Sequence, residues 1–339
     1  MELKLNGKII KGVGGIYEVR ISHTDAEMLR NMGVKLGGDT LLCKARGVFR
    51  HENLTLLVGD DVVLRVDTEL AVVSDSLKDG GKRTDEAMGG VMIEETLERK
   101  NQLIRPPVAN IDIIFAVFAV SKPTPALSAV DKLITIAEHK NIEPVVVITK
   151  ADISHDDAEH YANIYRKCGF SVFIEGVGID GGELEGYIRD NADRVSVFAG
   201  ASGVGKSTLM NRLFPSLGLV TGEVSQKTQR GRHTTRHVEL YPLSKQFGDT
   251  ATGYVADTPG FSMLDFLQFD FYTKDDLPYV FREFEPYIGK CRYTKCTHTK
   301  EEGCALLEAV KNGDVPSERH KSYLEFYEVL KNKHEWDKK

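Results

Sequence analysis

The chain has 339 residues, 41% hydrophobic and 28% charged, which suits two or three globular domains and excludes a disordered or fibrous protein. No apolar run is long enough to cross a bilayer, since the longest, residues 111–120, is interrupted by Asp112, and the first ten residues lack the apolar core of a secretory signal. The net charge of −6 argues against a wholly basic nucleic-acid binder, but its distribution leaves RNA contact open at the ends. Residues 1–67 carry 10 basic and 9 acidic side chains, residues 286–339 carry 11 and 9, and the segment between them carries 23 and 32.

In chain order, the first segment holds short runs rich in Val, Ile and Tyr at 8–10, 16–21, 40–45, 54–57, 62–66 and 91–96, separated by glycine turns. This spacing predicts a small closed β-barrel, OB-like in type, with the polar stretch 74–90 as a long loop. From about residue 100 the pattern alternates: a buried strand in 111–120, a helix over 129–139, a strand over 144–149, a helix over 156–168, and strands at 171–174 and 195–199. That alternation predicts a mostly parallel α/β sheet. Beyond Gly260 short helices surround a cysteine cluster, and a last helix over 317–332 is expected to be capped by Ser317. The predicted domains are a barrel over 1–98, a nucleotide-binding α/β domain over 99–272, and a mainly helical metal-binding domain over 273–339.

Gly200-Ala201-Ser202-Gly203-Val204-Gly205-Lys206-Ser207 matches the Walker A pattern and lies between a strand and a helix that Thr208 enters. The glycines let backbone N–H groups fold round phosphates at the positive helix end. Lys206 is placed to reach the β- and γ-phosphates, and the Ser207 hydroxyl to ligate Mg²⁺. Earlier in the chain, a strand runs into Thr149-Lys150-Ala151-Asp152. A carboxylate at Asp152 can accept from both guanine N1–H and the exocyclic amine, which adenine cannot match, while the Lys150 stem covers the base. Guanine-reading motifs ordinarily follow the phosphate loop; here the motif precedes it, so the order is permuted. The site can still close, because strand ends converge whatever the chain order.

After the phosphate loop come Gly231-Arg232-His233-Thr234-Thr235-Arg236 and Asp257-Thr258-Pro259-Gly260. Asp257 meets Mg²⁺ through water, the Gly260 N–H meets the γ-phosphate, and either Thr234 or Thr235 completes the Mg²⁺ shell. Phe261 occupies the place where many GTPases hold a water-orienting glutamine. His233 is then the candidate for positioning water, with a packing or phosphate-contact role as its alternative. Cys291, Cys296, His298 and Cys304 have the spacing C-x4-C-x-H-x5-C, which suits one closed, structural, tetrahedral Zn²⁺ site. So few cysteines, crowded this way, point to a reducing compartment, the cytoplasm. Two other readings stand beside the GTPase: an ATP-driven P-loop enzyme such as a small kinase, against which Asp152 argues, and an RNA-binding adaptor with a structural nucleotide, which Phe261 permits.

Taken together, the chain resembles the ribosome small-subunit-dependent GTPase A family over nearly its whole length. The resemblance rests on Gly47-Val48-Phe49-Arg50, Val58-Gly59-Asp60, Arg99-Lys100-Asn101, residues 105–112 (RPPVANID), the permuted motif order, GRHTTR, DTPGF and the cysteine–histidine cluster. It implies an N-terminal OB-fold, a permuted GTPase domain, a C-terminal zinc domain, and a role in late maturation of the 30S subunit with GTP hydrolysis stimulated by that subunit. It also implies that the barrel and zinc domain contact 16S rRNA, with Lys44, Arg46, Phe49 and Arg50 as candidate barrel contacts; a monomer is expected, though the sequence does not fix the oligomeric state. Two positions depart from the family: Thr149 replaces the usual asparagine, and Glu175-Gly176 stand where Ser-Ala is usual.

Overall fold

The computed structural model describes residues 2–34, 36, 38–47, 49, 54–69, 90–103, 107–179, 182–217, 238–257 and 272–333. By its contacts the chain divides into two compact units, Met1–Ile111 with Glu223–Pro242 and Tyr254–Asp257, and Asp112–Gly222 with Leu243–Gly253 and Thr258–Lys339.

In the first unit a closed barrel forms from β1 (Glu2–Val13), β2 (Ile16–Ile21), β3 (Thr40–Ala45), β4 (Asp61–Asp67) and β5 (Val91–Thr96), in the order β1-β2-β3-β5-β4. β1 is far longer than its predicted core and pairs antiparallel with both β2 and β4, which lets one strand serve two neighbours. Along β4, Val62, Leu64 and Val66 point inward with no exposed surface, the alternation expected of a half-buried strand. Helix α1 (His23–Asn31), which the sequence reading passes over, joins β2 to β3; its N-cap Ser22 accepts from the Asp25 N–H, and only Ala26 and Leu29 are buried. Residues 54–57 do not form the expected strand. The Leu57 N–H is taken instead by the Asp60 carboxylate at 2.7 Å, and Gly59 turns the chain with φ +93°. Only glycine fits there, because a Cβ would lie 2.1 Å from the Ala109 carbonyl oxygen. Asp60 is fully buried and takes a two-pronged contact from Arg99 at 2.6 and 2.8 Å. The short pair β6 (Gln102–Leu103) and β7 (Val108–Ala109) follows. Most of the predicted loop 74–90 falls outside the described residues.

The second unit holds four parallel strands in the order β10-β9-β8-β11: β8 (Ile113–Ala119), β9 (Glu143–Thr149), β10 (Ser171–Ile174) and β11 (Val195–Gly200). Every residue of β8 is buried, as its continuous apolar run predicts for a strand covered on both faces. The connecting helices are α2 (Leu127–His139), α3 (His155–Lys167) and α4 (Gly182–Asp190), and α5 (Lys206–Leu213) follows β11. α4 has no counterpart in the sequence reading; its two buried residues, Leu184 and Ile188, sit one turn apart and were its signal. The antiparallel pair β12 (Leu240–Pro242) and β13 (Tyr254–Asp257) belongs to the first unit, and the short α6 (Ser244–Phe247) to the second.

Two 3-10 turns, Leu277–Val280 and Arg282–Tyr287, lead to α7 (Ala305–Asn312) and α8 (Ser317–Lys331). The capping expectation for the last helix is corrected: Pro316 is the N-cap, and Ser317 is the first helical residue with its hydroxyl turned to Glu318 at 3.2 Å. Pro316 has the extended backbone of an N-cap residue, φ −60° and ψ 132°, and no side chain caps the helix. α8 packs on α2 through the fully buried Arg319, which donates to Asp131 and Glu283, each at 2.6 Å. Among the described residues no helix is long and apolar enough to cross a membrane.

Candidate functional site

The phosphate loop begins where β11 ends. Gly200 pairs with Val117 of β8, and a Cβ on it would lie 2.1 Å from the Val117 carbonyl oxygen, so the strands can approach this closely only at glycine. Gly203 and Gly205 take left-handed backbones, φ +81° and +90°, which fold the loop back over the start of α5. The first bond of that helix runs from the Leu209 N–H to the Gly205 carbonyl at 2.9 Å, so the amides of Lys206, Ser207 and Thr208 precede the helical ladder. Amides so placed, at the positive end of a helix dipole, suit an anion.

Thr149, Lys150 and Asp152 arrive from the neighbouring strand β9. The Thr149 hydroxyl, buried, lies within reach of the Phe118 carbonyl at 3.1 Å and of the Val204 carbonyl in the phosphate loop. The Lys150 ammonium donates to the Gly203 carbonyl at 2.8 Å and to the Lys122 carbonyl. Lys150 holds a left-handed φ of +58°, a strain of about 1–3 kcal/mol for a non-glycine residue that its two side-chain bonds offset. The structure therefore brings the upstream motif directly onto the phosphate loop, some fifty positions later in the chain.

Beside them opens a cavity of about 470 Å³, lined by Thr149, Lys150, Asp152, Glu175–Ile179, Gly205, Thr208, Leu209 and Arg212. The loop after β10 reaches it because Glu175 continues the ladder, its N–H to the Ile148 carbonyl at 2.7 Å and its carbonyl taking the Ala151 N–H at 3.0 Å. The Val177 N–H then donates to Asp152 Oδ1 at 3.0 Å. Gly176 is needed for that approach, as a Cβ on it would lie 2.7 Å from the Asp152 nitrogen and 2.9 Å from its Oδ1. Sequence reasoning treated Glu175-Gly176 as a departure and passed over Val177, Ile179, Leu209 and Arg212. The available signal was position: a turn at the carboxyl end of a parallel strand belongs to the shared crevice. Ala201 and Ser202 are exposed on the phosphate loop, and Val204 is buried. Asp257 ends β13 in the first unit. His233, Thr234, Thr235, Gly260 and Phe261 lie outside the described residues.

In the C-terminal region Cys291, Cys296, His298 and Cys304 place their donor atoms within 4.8 Å of one another. Cys291 and Cys304 sulfurs are 3.8 Å apart, and His298 Nδ1 is 3.5 Å from the first and 3.4 Å from the second. The ring is aimed by a positive φ of +56° at His298, whose carbonyl is held by His320 Nε2 at 2.9 Å, while the Tyr323 hydroxyl donates to the Thr297 carbonyl at 2.7 Å. Burial lowers the His298 pKa and so favours the neutral ring that a ligand requires. Burial pushes the Cys296 thiol up to about 12, protons that a cation must displace. The Glu301 carboxylate ties the ligand loop, accepting from the N–H groups of Thr297, Thr299 and Lys300 at 2.7, 2.9 and 3.0 Å. Burial alone would raise its pKa; the hydrogen bonds, led by Thr297, outweigh that and hold it at about 2.

A parallel sheet carrying a phosphate loop, with its base motif upstream and packed against that loop, defines a circularly permuted P-loop GTPase. Comparison with known proteins agrees. The model of the RsgA GTPase family matches residues 96–267, and that of the RsgA N-terminal domain matches residues 33–71. Proteins named small ribosomal subunit biogenesis GTPase RsgA are 39% identical in Caldanaerobacter subterraneus, over 97% of this chain and 97% of that protein, and 38% in Alkaliphilus metalliredigens, over 96% and 98%. Among solved structures, YloQ, described as a circularly permuted GTPase, aligns with TM-score 0.68 at 30% identity, covering 97% of this chain and 96% of its own. YjeQ from Thermotoga maritima aligns with TM-score 0.70 at 29% identity, over 98% and 100%. The chain belongs to the RsgA GTPase family and is a GTP hydrolase.

Proposed function

We propose that this GTPase binds the small (30S) ribosomal subunit and assists its late maturation in the cytoplasm, hydrolysing GTP to GDP and phosphate with stimulation by the subunit. The observation that carries the ribosomal part is identity of 36–39% over nearly full length to proteins named for small-subunit biogenesis. The observation that carries the nucleotide part is the contact of Lys150 with Gly203, which sets a base cavity against a phosphate loop. In this reading residues 1–98 and 273–339 are the modules that meet 16S rRNA, residues 99–272 are the nucleotide module, and the protein acts as a monomer.

In this reading each motif has a role. Asp152 accepts from the guanine N1–H and amine, the Lys150 stem covers one base face, and residues 200–205 wrap the phosphates. Lys206 bears on the β- and γ-phosphates. Ser207, with Thr234 or Thr235 and with Asp257 through water, would hold Mg²⁺, which neutralises charge on the transferring phosphate. Gly260 contacts the γ-phosphate, and His233 positions water in place of the glutamine that Phe261 displaces. Equal turnover in His233→Ala and wild type would remove His233 from the mechanism.

Cys291, Cys296, His298 and Cys304 would hold one structural Zn²⁺. Tetrahedral bonds of about 2.3 Å to sulfur and about 2.0 Å to nitrogen require sulfur–sulfur gaps of about 3.8 Å and sulfur–nitrogen gaps of about 3.5 Å. The separations of 3.8, 3.5 and 3.4 Å fit that donor set. All four places are filled by protein, so the role is folding rather than catalysis.

The deciding experiment measures GTP hydrolysis with and without purified 30S subunits, and GTP against ATP in competition. Faster turnover on 30S and displacement by GTP alone are expected. No hydrolysis in either condition would favour an RNA-binding adaptor with a structural nucleotide.

A further inference from the structure

The ion pair between Glu175 and Arg212 joins two parts of the nucleotide cavity that no strand or helix connects. Glu175 starts the turn after β10, with only 5% of its side chain exposed, and Arg212 sits six residues beyond Lys206 on α5. The Arg212 NH2 donates to Glu175 Oε2, and both residues line the cavity. Between Glu175 and the Val177 N–H that grips Asp152 lies Gly176, whose own N–H finds no acceptor among the described residues. An amide donor at the cavity wall beside a carboxylate acceptor is complementary to the guanine edge, where O6 accepts next to an N1–H that donates.

We propose that the Glu175–Arg212 pair is a positioning device that fixes the Gly176 amide toward guanine O6 by bracing the base turn against the phosphate-loop helix; this rests on the guanine reading above. In this turn a Cβ at position 176 would lie 2.7 Å from the Asp152 nitrogen, so the backbone comes this close to Asp152 only because glycine stands there. The Glu175 side chain is long enough to leave its own turn and meet Arg212 on α5. The pair thus couples the base turn to the helix that opens on the phosphates, and base recognition depends on a residue outside every nucleotide motif. Neither residue touches the reacting atoms.

The test uses the full chain and isothermal titration with GDP, ADP and 6-thioguanosine diphosphate, which keeps the N1–H and the exocyclic amine but puts a weakly accepting sulfur in place of O6. Because the Arg212 side chain is half exposed, Arg212→Met and Glu175→Gln should each weaken GDP about fivefold, the effect of one solvent-screened tie of roughly 1 kcal/mol. Binding of the 6-thio nucleotide should stay within about twofold, because it has no O6 to lose while its N1–H and amine still meet Asp152, and Arg212→Lys should recover most of the GDP affinity. Parallel losses for GDP and the O6-less nucleotide, or no loss of either in both variants, would overturn the proposal. Wild-type protein that binds GDP no better than ADP would instead sink the guanine reading itself, so the two failures are distinguishable.

Discussion

Replacing Arg319 with methionine tests how the C-terminal region is held to the nucleotide-binding unit. The guanidinium has no exposed surface; it donates to Asp131 on α2 at 2.6 Å and to Glu283 at 2.6 and 3.3 Å, and lies 4.7 Å from the Phe281 ring centre. Burial opposes its charge, but the carboxylates of Asp131 and Glu283 outweigh that and hold Arg319 protonated well beyond the usual arginine range. Methionine fills much of the volume yet leaves two buried carboxylates without their cation; the neutral donors that remain, the Tyr165 hydroxyl at 3.0 Å from Asp131 and the Cys168 thiol beside Glu283, do not replace a guanidinium. Breaking a buried charge network from one side costs about 3–5 kcal/mol. For a unit of this size that is a fall in melting temperature of roughly 6–20 °C. The effect should reach the cysteine cluster, because the adjacent His320 holds the His298 carbonyl. Thermal melts by circular dichroism, with metal release followed by a chromogenic chelator, read both quantities. Arg319→Met combined with Asp131→Leu and Glu283→Gln should recover most of the loss, since the uncharged replacement leaves no stranded charge. A single variant that melts within about 2 °C of wild type, a cost below roughly 1 kcal/mol, would refute the argument.

Three shorter predictions concern the sites themselves. Thr149→Val removes the hydroxyl that ties β9 to the phosphate loop, so nucleotide affinity should fall about five- to tenfold while GTP-over-ATP preference holds; unchanged affinity in a titration would show the tie to be idle. Gly200→Ala forces a Cβ to within 2.1 Å of a backbone oxygen across the sheet and should cost about 1–3 kcal/mol, seen as a lower melting temperature and weaker nucleotide binding. Glu301→Gln should lower stability at neutral pH. The folded carboxyl sits at about 2, below its unfolded value, so its contribution is complete above about pH 4.5 and drains as pH falls toward 2. The melting difference between wild type and Glu301→Gln should therefore be the same at pH 6 and 8 and shrink below about pH 4.5; a difference that varies between pH 6 and 8 would contradict this.

The sequence by itself carried everything whose meaning is local. The glycine spacing of residues 200–207, the buried run that became β8, and the cysteine–histidine cluster at 291–304 each act through neighbours a few positions away, so residue type and spacing suffice. Chain order also carried the permutation, because a parallel sheet collects its strand ends at one crevice in any order. Tertiary structure decided what depends on partners far away. Leu57 turns instead of extending because Asp60 competes for its amide and Arg99 holds Asp60. Gly176 and Arg212 join the base cavity from different elements, and Arg319 finds Asp131 a hundred and eighty-eight positions upstream. Such pairings follow from which surfaces the sheet and helices bring together, and desolvation makes them strong only once that burial exists.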